Sequence, residues 1–151
     1  DGHPFSDYIT EAEGQPAFRL PQTGVVLTQK DIRSVQLAKS AICAGMKTII
    51  KEAGFQPDDI GELVIAGGFG SHINVKSAER IGLIPPKFAK KSRAIGNAAG
   101  SGASMILLSD TVRRESEQIG DFSTTVELST NPVFMDEYID GMMFPTGPYI
   151  L

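Results

Sequence analysis

Between residues 63 and 104 the chain twice follows one order: a short apolar run, a burst of glycine and other small residues, then a helical pattern. "LVIA" at 63–66 ends in Gly67-Gly68-Phe69-Gly70, and "SRAI" at 92–95 ends in Gly96-Asn97-Ala98-Ala99-Gly100-Ser101-Gly102. The first run has no alternation, the pattern of a strand covered on both faces. Two strand ends of this kind, each followed by backbone almost bare of side chains, make a small-walled crevice. A flat ring can slide between such walls, with helix N-termini and N–H groups near its polar atoms. Gly67, Gly68, Phe69, Gly70, Gly100, Ser101 and Gly102 are therefore candidate ligand contacts. Asn74, Asn97, Ser101 and Ser104 can offer amide or hydroxyl hydrogen bonds to a ribose or base. Helix capping and turn formation are equally good uses for these four.

Other readings of the glycines stay open. Gly68-Phe69-Gly70 begins like a dinucleotide fingerprint, but Ile73 stands where the third glycine must let helix and strand approach closely. The phosphate loop with its terminal Lys-Ser/Thr is absent. A tight turn without any ligand would also use glycine here.

The rest of the chain reads as an α/β protein. Residues 17–27 suggest two short strands around a Pro/Gly turn. Thr28 then stands where an N-cap belongs, with Asp31 in the following turn. Ile32, Val35, Ala38, Ile42, Met46 and Ile49 recur at helical spacing, while Lys30, Arg33, Lys39 and Lys47 fall largely elsewhere on the wheel. Gly54 ends a helix of about seven turns. "VKSAERIGLI" is a short helix closed by Pro85-Pro86. One helix is expected through "MILLSDTVRRESEQIG", and "STTVELS" at 123–129 is a strand by its β-branched content. Asn131-Pro132 opens a last helix, with Asp136, Glu137 and Asp140 on its polar side. Strands alternating with helices in this order define the α/β class.

Charge and cysteine content narrow the function. A net charge of −4 argues against a nucleic-acid partner. Lys87, Lys90, Lys91 and Arg93 read as a solvated stretch. The single cysteine, Cys43, excludes a disulfide framework or a cysteine-ligated cluster within this chain, and reads as a small buried hydrophobe. His3 and His72 have no ligand-spaced partner. No apolar run is long enough for a membrane span, and a reducing, cytoplasmic setting fits. Residues 1–16 are polar and mixed, as expected of a remnant of a preceding domain, and residues 17–151 form the lobe proper. Asp58, Asp59 and Glu62 flank the first strand as ordinary loop acids, so no general base is identifiable.

Together, strand–GGFG–helix–strand–"GNAAGSGA"–helix resembles the adenosine-binding half of the actin, sugar-kinase and Hsp70 superfamily, with the long helix as its connecting helix. "TQKDIRSVQLAKSAICAGMKTIIKEAG", "ELVIAGGFGSHINVKSAERIGLIP", "GNAAGSGAS" and "VELSTNPVFMDEYIDGMMFP" resemble one family within it: the ATP-dependent reductive activators of corrinoid methyltransferases and corrinoid iron–sulfur proteins. The last string is the most diagnostic, since no generic nucleotide fold demands it. The resemblance implies a ribonuclease-H-like lobe, a mixed sheet flanked by helices. It implies binding of ATP with Mg²⁺ between this lobe and another bearing the acidic phosphate-loop motif. It further implies coupling of ATP hydrolysis to one-electron reduction of Co(II) corrinoid to Co(I), with an iron–sulfur cluster elsewhere in the polypeptide. The implied partner is a corrinoid protein or methyltransferase. Met135, Met142 and Met143, with the acids of the last helix, could serve a partner or homodimer surface; the bland reading makes the methionines core and the acids solvated. Competing readings are a lobe of a 2-hydroxyacyl-CoA dehydratase-type activator, and a nucleotide-free interaction or dimerisation module.

Overall fold

A computed structural model describes residues 5–146, the side chains of Phe69 and Ser71 excepted. The hairpin β1 (Ile9–Ala12) and β2 (Gln15–Arg19) pairs antiparallel, and β3 (Val26–Leu27) adds to β2. Residues 9–12, read from sequence as polar lead-in, thus form a strand. Edge-to-tilted contacts among Phe5, Tyr8 and Phe18, with ring centroids 6.0–6.5 Å apart, cover this sheet.

Helix α1 (Gln29–Glu52) follows at once. Its start is a capping box: the Thr28 hydroxyl accepts from Asp31 N–H, and the Asp31 carboxylate accepts from Thr28 N–H at 2.9 Å. A 3₁₀ turn at Pro57–Asp59 leads into β4 (Leu63–Ala66), then α2 (Gly67–His72), α3 (Val75–Arg80) and α4 (Pro86–Ala89). β5 (Ser92–Gly96) pairs parallel to β4, in register from Leu63↔Ser92 to Ala66↔Gly96, with an irregularity between Ile65 and Ala66. Helices α5 (Ala98–Leu108), α6 (Asp110–Phe122) and α7 (Pro132–Asp140) complete the described chain. Its five strands fall in two sheets, one antiparallel and one parallel.

The core lies under β4, where Ala78, Leu83, Ile84 and Phe88 pack with Leu63, Ile65, Ile50 and Ile60. β4 is covered on one side; Val64 remains 42% exposed, so the expectation of a strand buried on both faces does not hold among the described residues.

Three further expectations are corrected. Residues 123–129 form no strand. β-branched side chains favour a pleated surface only where a partner strand offers hydrogen bonds, and this segment crosses to α7 instead, setting Leu128 against Gly45. The helix expected through residues 105–120 is two helices broken at Ser109, whose extended backbone (φ −144°, ψ 116°) caps α6 through Val112 N–H. The glycine-rich runs are themselves helical, forming α2 and the first turns of α5.

The buried face of α1 differs from its apolar stripe. Lys39, Ser40, Ala44, Gly45 and Thr48 are buried, while Val35, Ile42 and Ile49 are exposed. Ser40, Ala44 and Thr48 recur every four residues, and their small side chains let α7 approach along that row. Cys43, on the adjoining row, is half-buried, and burial pushes its thiol above the usual range. Antiparallel along α1, Asn131 Nδ2 donates to Glu52 Oε1 (2.8 Å) and Lys47 pairs with Glu137 (2.6 Å). Ser40 Oγ donates to the Tyr138 carbonyl, and Lys39 Nζ donates to the carbonyls of Gly141 and Met143, each 2.5 Å away. The closing string of the sequence is the complement of one face of α1, which is why a generic nucleotide fold would not require it.

Candidate functional site

Parallel pairing places the ends of β4 and β5 side by side, about 4.8 Å apart across the ladder. Both strands run straight into helices, so Gly67 and Gly68 at the start of α2 and Asn97–Gly102 at the start of α5 follow the same end of the sheet. Gly67 holds φ +88°, a left-handed conformation that a side chain would strain. Gly70 has a different reason. A Cβ there would lie 2.8 Å from Ile65 Cγ2 and 2.9 Å from the Ile65 carbonyl oxygen, so its glycine lets α2 fold back on β4.

Nothing in the described chain crowds Gly67, Gly68 or Gly102: a Cβ at each meets no heavy atom within 4 Å. A Cβ at Gly100 would lie 2.5 Å from Asn97 Nδ2, so glycine there makes room for the Asn97 cap. Asn97 caps α5, its Oδ1 accepting from Gly100 N–H at 3.0 Å. Its Nδ2 and the exposed Ser101 hydroxyl have no hydrogen-bond partner among the described residues. Ser104 is committed to its own helix, donating to the Gly100 carbonyl.

Asn74 has a structural use of its own. It caps α3 by accepting from Ser77 N–H at 3.0 Å, and the six residues of α2 stand between it and β4 in the chain. The Phe69 side chain lies outside the described residues. Two of the acids flanking β4 are surface partners of cations: Glu62 holds Arg93 through two hydrogen bonds of 2.6 and 3.1 Å, and Asp58 pairs with Lys87; Asp59 accepts from Gln56 N–H at 2.8 Å. The hydrogen bond from Arg93 keeps the Glu62 carboxyl below its usual range.

A parallel strand pair opening into two glycine-bearing helices, braced by a long connecting helix, is the architecture of an actin-like ATPase lobe. The match to known proteins agrees and is more specific. The family model described as the C-terminal domain of RACo, the ASKHA domain, matches residues 5–149, and the chain belongs to that family. It is 37% identical over 152 residues to the corrinoid activation enzyme RamQ of Eubacterium limosum, covering 95% of this chain and 26% of that protein. It is 32% identical over 76 residues to the [Co(II) methylated amine-specific corrinoid protein] reductase of Methanosarcina barkeri, covering 50% of this chain and 14% of that one. The solved structure of a reductive activator for corrinoid, iron-sulfur protein superposes with a TM-score of 0.79 at 33% identity, over 92% of this chain and 23% of that chain. The chain thus spans roughly a quarter of the length of the relatives it matches along nearly its whole extent. Among the described residues no helix is long and apolar enough to cross a membrane.

Proposed function

We propose that this chain is the adenosine-side lobe of an ATP-dependent activator that returns Co(II) corrinoid to the Co(I) state in a corrinoid protein or methyltransferase. One observation carries the nucleotide assignment. Gly67 and Gly68 open α2 and Gly102 lies in the first turns of α5, the helices that follow the adjoining ends of β4 and β5, yet nothing among the described residues explains the lack of a side chain at Gly68 or Gly102. A ring laid across that surface would explain it. The residues fit such a ligand: a Cβ at Gly68 or Gly102 would enter the space it needs, while Asn97 Nδ2 and the Ser101 hydroxyl remain available for its polar edge.

The nucleotide, with Mg²⁺, would supply the free energy of hydrolysis. This chain's part is to hold the adenosine and transmit the engaged state through α1, the helix that joins the β4 layer to α7. A ligand shifts a conformational equilibrium only through its differential affinity for two states, and closure of two lobes over a nucleotide is such a pair of states. The relatives' names supply the corrinoid substrate. Cys43 alone cannot ligate an iron–sulfur cluster, so the electron donor is assigned to another part of the polypeptide.

Calorimetric titration with Mg-ATP and Mg-ADP tests the reading, with Gly68→Val in parallel. Binding that valine abolishes, at an unchanged melting temperature, is expected. Equal binding by both proteins would move the nucleotide off this surface. Absence of heat up to millimolar nucleotide would assign the open glycines to packing against another part of the polypeptide.

A further inference from the structure

The end of the β4–β5 sheet opposite the glycines carries a second surface. There the C-terminal end of α1, the turn before β4 and α4 enclose a depression of about 310 Å³. Its floor is apolar (Ile50, Phe55, Pro85 and Phe88), and its rim holds Lys47, Lys51 and Lys87 with Glu137. Phe55, within the depression, is 53% exposed, a large aromatic left open. On the other side of α4 a second groove, about 360 Å³, is lined by Lys76, Arg80 and Lys90 with Glu79. These two grooves gather six of the chain's 14 lysines and arginines, although the chain as a whole carries four more acids than bases. Lys51, Lys76, Arg80 and Lys90 have no acidic partner among the described residues, and the Lys87–Asp58 pair is solvent-exposed, hence weak and exchangeable; Lys47 is held by the half-buried Glu137.

We propose that this shoulder docks an acidic polypeptide segment of a partner protein, with an apolar anchor side chain in the Phe55–Phe88 depression and carboxylates on the surrounding cations. The volume lies at the lower bound for ligand pockets, suited to an anchor side chain rather than a whole cofactor. An aromatic or branched anchor in a desolvated pocket, ringed by charge, is the usual anatomy of an interface hot spot. A nucleic acid would call for a continuous basic face, whereas here an apolar floor separates the cations. The site lies at the far end of both strands from Gly67 and Gly68, so its occupation does not depend on the nucleotide reading.

The test is fluorescence anisotropy of the intact chain with a labelled eight-residue peptide of six glutamates and two phenylalanines. Lys51→Glu/Lys87→Glu and Phe55→Ser should each weaken binding at least tenfold, and affinity should fall steeply with salt. Lys30→Glu/Arg33→Glu, the same charge change at the other end of α1, should leave it unaltered. The proposal is overturned if the peptide does not bind, if both double reversals weaken it equally, or if a DNA duplex of equal charge displaces it. Circular dichroism of each variant confirms folding. The Gly68→Val protein should bind the peptide as the parent does, which keeps this outcome separate from nucleotide binding.

Discussion

Lys39 shows how far a single residue can depart from its wheel position. Its side chain belongs by composition on the polar side of α1, yet the residue is 2% exposed. The last carbonyls of a helix lack intrahelical donors, and a cation suits the negative end of the helix dipole. Lys39 meets both needs at the end of α7, with its ammonium 5.5 Å from the Phe144 ring centroid. Burial pulls its pKa below the usual lysine range. Lys39→Met keeps the stem and strands two carbonyls, so a loss of about 1–3 kcal/mol is expected in urea unfolding; a midpoint equal to the parent's would contradict it. The glycines separate at the same scale. Gly70→Ala should lower the melting temperature, because its Cβ would collide with backbone at Ile65. Gly68→Ala, within a helix and in open space, should leave stability unchanged or raise it by up to ~1 kcal/mol. Equal melting temperatures for the two variants would refute the distinction.

At the scale of elements, α1 is the part most completely legible in the sequence. Thr28 and Asp31 mark its start and Gly54 follows its end, because capping is local chemistry that neighbouring residues settle among themselves. Asp31 makes this testable by pH. Hydrogen bonds from the Thr28 backbone and hydroxyl hold its carboxyl below the ordinary 3.8. A carboxyl with a depressed folded-state pKa contributes stability that is present above its unfolded value and is lost as pH falls through the folded one. Thermal melts between pH 5 and pH 2 should therefore show a decline that Asp31→Asn reduces, and parallel curves would exclude the capping contribution. The 123–129 segment was illegible for the opposite reason. Strand propensity describes how a residue fits a ladder, and whether a ladder edge is available is not a local property. The break at Ser109 was concealed because apolar residues on both sides of it keep helical periodicity.

Across the whole molecule, packing is uneven. The layer of β4, α3, α4 and α1 contains the core, and α7 is stapled to α1 by side chains that bond backbone. Helices α5 and α6 contain no buried residue, and Leu107, Leu108 and Phe122 are 86–87% exposed. Regions with few buried apolar contacts open at low free energy. Hydrogen exchange should therefore find the amides of α5 and α6 exchanging well before those of the middle of α1 and β4. Uniform protection would mean that the two helices are held by contacts beyond those described.

By itself the sequence determined the features that arise between near neighbours: the capped limits of α1, the start of α7, and the two strand ends that break into glycine. It also carried the family, since those strings are distinctive without any coordinates. Tertiary structure decided which face of α1 is buried, because at a period of 3.6 an apolar stripe and a row of small residues are both valid faces, and only the arrival of α7 selects one. It decided the purpose of each glycine as well. A missing side chain leaves the same mark in a sequence whether it relieves a clash with Ile65, as at Gly70, or opens onto empty space, as at Gly68, and only the surrounding atoms tell the two apart.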